Sequence, residues 1–358
     1  MVALAGVFTW LFAAGAHGPL PAGNFEPNPT PRRLLSGADA EQQRLELIAR
    51  ADAFAPPHTV EPLPDFVVCR FLNGEPTGTT AKFDCVLDGG AIVKVKYGRN
   101  AEIHAEAAAT RLLDRLGFAA DRIDIVPRLR CYGCPRFPFF TMRLLALADS
   151  SRLLDERGLD GRFMDFAWVA VERRFPAPAV ETDRREGFAW YELAPSASAR
   201  AEIDAFRLLA VFLAHWDNKE ENQRLVCLDD ACDRPLLMMQ DVGATFGPMK
   251  VNLERWRSIP VWQDAAQCTV SMRQLPWQGA TFSDTAISEE GRALLAERLA
   301  ALTQVEIRAL FAGARFPEFY AATDDDRDLD AWTTAFRQRV DQVVSAGPCP
   351  NRSSAPSG

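Results

Sequence analysis

The hydrophobic pattern changes character part-way along the chain. Between residues 66 and 97 apolar and polar positions alternate in short runs, Phe66–Phe71, Thr80–Leu87 and Ala91–Tyr97, which is the period of half-buried strands. Asn73-Gly74-Glu75-Pro76-Thr77-Gly78 separates the first two, and Asp88-Gly89-Gly90, a tight-turn sequence of the hairpin kind, separates the last two. Ala101–Leu116 reads as a helix rich in Ala, Leu and Arg and stopped by Gly117. Two further runs, Ile125–Cys131 and Phe139–Leu145, read as strands. Ahead of this block Glu41–Phe54 has helical spacing and ends at Pro56-Pro57.

Beyond Ala148 the period is mostly helical. Glu202–Ala214 is amphipathic, with Phe206, Leu209, Ala210 and Leu213 on its apolar side. Leu225–Leu228 and Pro235–Gln240 read as two short strands around an Asp229-Asp230 turn. Helices recur at Glu289–Leu302, with Ser288 as its N-cap, at Gln304–Ala312 and at Asp330–Val344. Five strands with one helix, then a helical block holding a small hairpin, predict a two-lobed α+β fold with a small β-rich N-lobe and a larger helical C-lobe. The expected divisions are a leader and linker over 1–40, the N-lobe over 41–148, the C-lobe over 149–346 and a disordered tail over 347–358.

Composition narrows the class. The chain has 358 residues, 48% hydrophobic and 25% charged, which are globular values. A net charge of −8 and a pI near 5.2 argue against a nucleic-acid surface. Met1–Ala16 is almost wholly apolar without Lys or Arg, and Ala14-Gly15-Ala16 has the small-residue pattern of a cleavage site. The run is short for a membrane span, so no stable span is expected. Eight cysteines include pairs that flank turns, Cys69 with Cys85 and Cys227 with Cys232, and a Cys131-x-x-Cys134 loop. Disulfides, a zinc site made by two such pairs, and buried free thiols all fit that spacing. With the leader, disulfides point to a periplasmic or secreted protein, a cytoplasmic one being the alternative.

The densest chemistry lies at the exit of the 202–214 helix. His215-Trp216-Asp217-Asn218-Lys219-Glu220-Glu221-Asn222 is followed by Asp241-Val242-Gly243, the spacing of a phosphoryl-transfer site. Asp217 is placed to accept or orient the proton of an attacking hydroxyl, and Lys219 to reach the transferring phosphoryl group. Asn222 and Asp241 offer hard oxygens to a divalent cation such as Mg²⁺ or Mn²⁺. His215 braces the loop from behind. The short strand pair between Asn222 and Asp241 is expected to return the two ligands to one place. Each of these residues alone is an ordinary turn residue; the conjunction carries the signal.

The segment resembles the catalytic and metal-binding loops of the protein-kinase-like superfamily, with Trp216 where His-Arg-Asp has Arg and Val242 where Asp-Phe-Gly has Phe. The leader, the cysteines and the Ala105-Glu106-Ala107-Ala108 run are similar to those of the secreted Fam20-type atypical kinases and their bacterial relatives. The resemblance spans roughly residues 65–250 and implies a protein-kinase-like fold that uses ATP with Mg²⁺ or Mn²⁺. It puts Asn73–Thr79 over the phosphates, although the Gly-x-Gly-x-x-Gly spacing is absent. It also implies that Lys94 or Lys96 on one strand face contacts phosphates and pairs with Glu106 or Glu102. Lys94 with Glu106 fits best, because Ile92 then packs on adenine. The hinge would be about Leu145–Asp149. No Ala-Pro-Glu-like segment follows Asp241, and residues 250–285, with Trp256, Trp262, Trp277 and Cys268, form either a cap or an aromatic core.

The expected function is therefore transfer of the γ-phosphoryl group of ATP to a hydroxyl of a protein, sugar or small molecule. The alternatives are a nucleotide-binding scaffold without turnover, a pseudokinase, and an AMP transferase on the same fold. Four scattered histidines and the lack of a Gly-x-Ser-x-Gly sequence disfavour a metallohydrolase or serine hydrolase.

Overall fold

The computed structural model describes residues 16–56, 60–74, 77–147, 161–193, 200–276, 279–318 and 323–350. Its strands in chain order are β1 (Ala16–His17), β2 (Arg32–Leu35), β3 (Phe66–Leu72), β4 (Lys82–Leu87), β5 (Ile92–Lys96), β6 (Arg122–Tyr132), β7 (Arg162–Arg173), β8 (Ala179–Thr182), β9 (Gln223–Cys227), β10 (Pro235–Met239), β11 (Thr269–Val270) and β12 (Thr285–Ala286). Its α-helices are α1 (Ala40–Ala49), α2 (Ala101–Arg115), α3 (Pro138–Leu147), α4 (Arg200–Leu213), α5 (Leu253–Ser258), α6 (Glu289–Ala300), α7 (Gln304–Gly313) and α8 (Leu329–Ser345). The architecture is mixed, strands and helices both. Two units gather from interleaved stretches. The first takes Met1–Thr30, Val60–Ile103 and Arg122–Arg174, and the second Pro31–Thr59, His104–Asp121 and Phe175–Gly358.

In the first unit β3, β4 and β5 form a meander, and β7 and β6 continue it. β6 also pairs with β3, so the sheet closes on itself. The β3–β6 ladder is parallel, with Val67 opposite Leu129, and the others in the ring are antiparallel. Asp88-Gly89-Gly90 makes the expected turn between β4 and β5, with φ of 91° at Gly89 and 87° at Gly90. A Cβ on Gly90 would stand 2.6 Å from the Glu26 carbonyl oxygen, so glycine is required there on both counts. Val93 and Val95 face a core shared with Phe83, Val126, Leu129 and Val169. Strand alternation then sends Lys94 and Lys96 to the opposite face.

The second unit is organised by α4, in which every residue from Ile203 onward is buried. A helix apolar on most faces has to lie at the centre, surrounded by other elements. α4 packs on α6, and α6 and α7 pack on α8. Below it Phe246, Trp256, Phe311, Phe316, Trp332 and Phe336 form a cluster of edge-on and tilted rings with centroids about 5–6.5 Å apart. Such rings each bury on the order of 150–250 Å² and dominate core energetics. β9 and β10 form the expected hairpin, extended by β8 and β2.

All eight cysteines are in disulfides: Cys69–Cys85, Cys131–Cys134, Cys227–Cys232 and Cys268–Cys349. The zinc and free-thiol alternatives fall, because no thiolate is left to bind a metal or remain reduced. Cys349 lies in the segment 347–358 that composition assigns to the tail, and Cys268 in the stretch assigned to a cap or aromatic core. Trp256 of that stretch is fully buried and Trp262 nearly so, which favours the core; Trp277 lies outside the described residues.

The run Phe139–Leu145 is a helix rather than a strand. Pro138 opens α3, and Phe139, Met142 and Leu145 are buried at three-residue spacing while Phe140 and Leu144 face solvent. Leu145–Leu147, where the hinge was expected, belong to this helix, and residues 148–149 lie outside the described residues; the chain last leaves the first unit at Arg174. The missing strand is β7, which carries much of the pairing of the first unit.

Candidate active site

The loop that carries the motif begins at a helix end of defined geometry. Ala214 takes a left-handed φ of 53°, its N–H donates to Val211 at 2.9 Å, and the His215 N–H donates to Ala210 at 3.0 Å. This is the double bond of a Schellman end, formed here without glycine. Arg339, fully buried, caps the helix end and ties it to α5: its guanidinium donates to Phe212 at 2.9 Å and Val211 at 3.1 Å, and to Trp256 at 2.9 Å. Burial pulls its pKa down to about 9. The exit direction of the chain at His215 is thereby fixed.

Three backbone bonds then lay the loop against the Asp241 segment. Trp216 N–H donates to Ala244 at 3.1 Å, Phe246 N–H to Leu213 at 2.9 Å and Gln240 N–H to Asn222 at 2.9 Å. The last continues the β9–β10 ladder, whose final pair is Gln223 with Met239. The strand pair thus brings the Asn222 turn and Asp241 together, as their spacing suggests. Asp241 sits at a left-handed φ of 50°, unusual for a non-glycine residue and the kind of conformation that a surrounding framework must hold.

Within the loop Lys219 Nζ lies 3.3 Å from both carboxylate oxygens of Asp217. Asn222 donates its amide N–H to the Asp217 carbonyl at 2.6 Å, which leaves the amide oxygen as an acceptor. Asp217 and Lys219 are partly exposed and Asp241 is exposed, whereas Asn222 is nearly buried. A carboxylate and an amide oxygen, on the two chain segments joined by the Gln240–Asn222 bond, are hard donors of the kind that fit Mg²⁺ or Mn²⁺. His215 is fully buried beneath them, with the Ala244 backbone beside its ring. Burial pushes its pKa down to about 4, against the pull of Asp217, Asp241 and the Ala244 backbone, so the ring is a neutral packing element.

Several residues that position this loop escaped the sequence reading. Asn218, fully buried between Asp217 and Lys219, accepts from Trp190 Nε1 at 2.6 Å and donates to the His215 carbonyl at 2.5 Å. Its carbonyl accepts from Ala280 N–H at 2.8 Å. Gln240 donates its side-chain amide to the Glu221 carbonyl, and Arg185 forms an ion pair with Glu220. Nothing in their types marks these residues; only the three-dimensional register does.

In the first unit Lys94 and Lys96 share one carboxylate, Glu172 of β7, at 3.1 and 3.3 Å. Asp84, Lys94 and Glu172 stand opposite one another on three adjacent strands. Burial raises the Asp84 pKa, and the Lys94 charge works against that rise. Glu102 accepts from Thr80 Oγ1 at 3.4 Å and from Asn100 Nδ2 at 3.2 Å, and Glu106 is buried in the part of α2 that belongs to the second unit. Residues 75–76 of the turn expected over the phosphates lie outside the described residues.

No protein-family model matches the chain, and no curated protein matches it at a significant level. Among solved structures it is similar to the Helicobacter pylori proinflammatory kinase CtkA, with 8% identity over 78% of this chain and 97% of that one at a TM-score of 0.44. It is similar to the Golgi casein kinase, with 10% identity over 87% of this chain and 77% of that one at a TM-score of 0.35. A chain of the Shewanella oneidensis MR-1 HipA–HipB–operator DNA complex gives 14% identity over 95% and 76%, at a TM-score of 0.33. At such scores the chemistry has to be carried by the residues of the loop.

Proposed function

We propose that the chain is a metal-dependent, kinase-like phosphotransferase that moves the γ-phosphoryl group of ATP to a hydroxyl acceptor. The observation that carries this reading is the gathering of Asp217, Lys219, Asn222 and Asp241 by the Gln240–Asn222 and Trp216–Ala244 bonds on a rigid helix end. In the reaction the acceptor oxygen bonds to the γ-phosphorus, the bond to the β–γ bridging oxygen breaks, and ADP leaves. The Asp217 carboxylate orients the hydroxyl and takes its proton. Lys219, salt-bridged to Asp217, supplies positive charge to the phosphoryl oxygens. Asn222 and Asp241 would hold Mg²⁺ or Mn²⁺, which when bound neutralises phosphate charge. His215 keeps the loop packed without titrating near neutral pH. Lys94 and Lys96 are assigned to the nucleotide phosphates, with Glu172 as the carboxylate that holds them.

Four disulfides support an oxidising compartment, periplasmic or extracellular. No helix among the described residues is long and apolar enough to cross a membrane. Incubation with Mn²⁺ and ATP labelled at either the α or the γ phosphate tests the reading. Transfer of γ label alone supports it; transfer of α label marks an AMP transferase, and binding of nucleotide without transfer marks a scaffold.

A further inference from the structure

Arg185 lies outside the motif yet holds part of it. Its Nη2 donates to Glu220, the residue directly after Lys219, in an ion pair. Its Nη1 donates to Glu192 at 2.7 Å and to Glu41 at 3.1 Å. The same two carboxylates are fixed from the other side by Arg44, fully buried, which donates to each at 2.6 Å and to the Gly187 carbonyl at 2.8 Å. Arg185 is therefore a fixed strut, because two of its three acidic partners are themselves anchored. Although partial burial acts the other way, Glu192, Glu41 and Glu220 raise its pKa, so it is charged at all relevant pH.

The backbone beside it is fitted to the same turn. Gly187 has φ of 73°, and a Cβ there would collide with the Glu220 and Gln223 carbonyl oxygens. Trp190, three residues on, reaches Asn218. The stretch from 185 to 190 thus grips the loop at residues 218, 220 and 223.

We propose that Arg185 is a positioning residue for nucleotide binding: it orients the 220–222 turn through Glu220 and holds that carboxylate off Lys219 and the phosphates. The inference rests on the phosphotransferase reading above. Without Arg185, Glu220 would keep only the long Tyr191 hydroxyl contact at 3.4 Å, and would offer Lys219 a competing partner one residue away and place a negative charge beside a polyphosphate. Both effects weaken binding of the metal–nucleotide complex, in the same direction.

The test is calorimetric titration of the full chain with Mn²⁺ and a non-hydrolysable ATP analogue, with near-UV circular dichroism and melting temperature as controls on the fold. Arg185→Gln is expected to weaken binding about tenfold in the Glu220 background and less than about threefold in the Glu220→Gln background, since contacting pairs couple by this order. A residue with a merely structural role would lose the same factor in both. Equal binding by wild type and Arg185→Gln, or an equal loss in both backgrounds, overturns the proposal alone. Absence of binding by the wild type overturns the proposal together with the reading beneath it. Should Arg185→Gln fail to fold, Arg185→Lys carries the test: weakened binding with a native spectrum supports the proposal, and unchanged binding overturns it.

Discussion

The Gln240 N–H donates to the Asn222 carbonyl at 2.9 Å, and this one backbone bond ties the two expected metal ligands together. Asp241 follows Gln240 directly, so its position is set by the last rung of the β9–β10 pairing. The Asn222 turn in turn reaches back through its side chain to the Asp217 carbonyl. The candidate base, the amide ligand and the carboxylate ligand are thus parts of one hydrogen-bonded unit.

Asn218 is the buried keystone of that unit. Asn218→Ala removes the acceptor for Trp190 Nε1 and the donor to the His215 carbonyl, both inside the protein. A buried polar group left unpaired costs about 1–3 kcal/mol, so the variant is expected to lose about 2–4 kcal/mol. Urea unfolding measures this directly; a loss under about 1 kcal/mol would show that the loop does not depend on the Asn218 bonds.

His215 makes stability depend on pH with a defined sign. Its folded pKa lies near 4, below the ordinary 6.5, because burial disfavours the charged ring. Above about pH 6.5 the ring is neutral folded or unfolded and contributes no slope. As pH falls from about 6.5 to about 4 the unfolded chain takes up a proton that the folded chain refuses, so stability declines, by about 3 kcal/mol at most. Below that the contribution is flat. Denaturant unfolding of wild type and His215→Phe across this window should give curves that converge as pH falls; parallel curves would contradict the assignment.

The disulfides should differ in value. Cys268–Cys349 spans 81 residues and Cys131–Cys134 spans 3. In the chain-entropy picture the longer ring stabilises by about 4–5 kcal/mol and the shorter by about 2. Thermal unfolding of the Cys268→Ser/Cys349→Ser and Cys131→Ser/Cys134→Ser variants should therefore show the larger drop for the first. The reverse order would mean that strain or packing outweighs loop closure.

Much of this was legible because it is local. The Asp88-Gly89-Gly90 turn, α2 and α6 follow from turn chemistry and periodicity over a few residues, whereas the spacing of Cys69 with Cys85 and Cys227 with Cys232 left disulfides open beside zinc and free thiols. The motif from His215 to Asp241 was legible for the same reason. What failed was non-local or degenerate. Phe139–Leu145 is an apolar run too short for periodicity to separate helix from strand, and Pro138 was the overlooked helix start. The closure of the first sheet depends on β7 and on the parallel β3–β6 ladder, pairings that no local pattern encodes. Asn218, Arg185 and Gln240 look like ordinary polar loop residues until their partners are placed. Glu172 was passed over because it lies on the missed strand, although both Lys94 and Lys96 reach it.

The central claim is that Asp217 and Asp241 serve chemistry on ATP. The most direct measurement is transfer of labelled γ-phosphate from ATP, with Mn²⁺ or Mg²⁺, by wild type, Asp217→Asn and Asp241→Asn, all checked for a native melting temperature. Wild type should transfer label. Asp217→Asn should lose at least about 10²-fold in rate while still binding nucleotide, as expected when a positioned base is removed. Asp241→Asn should lose transfer together with its response to metal. Equal labelling by all three proteins, or none by the wild type with any acceptor tried, would contradict the account.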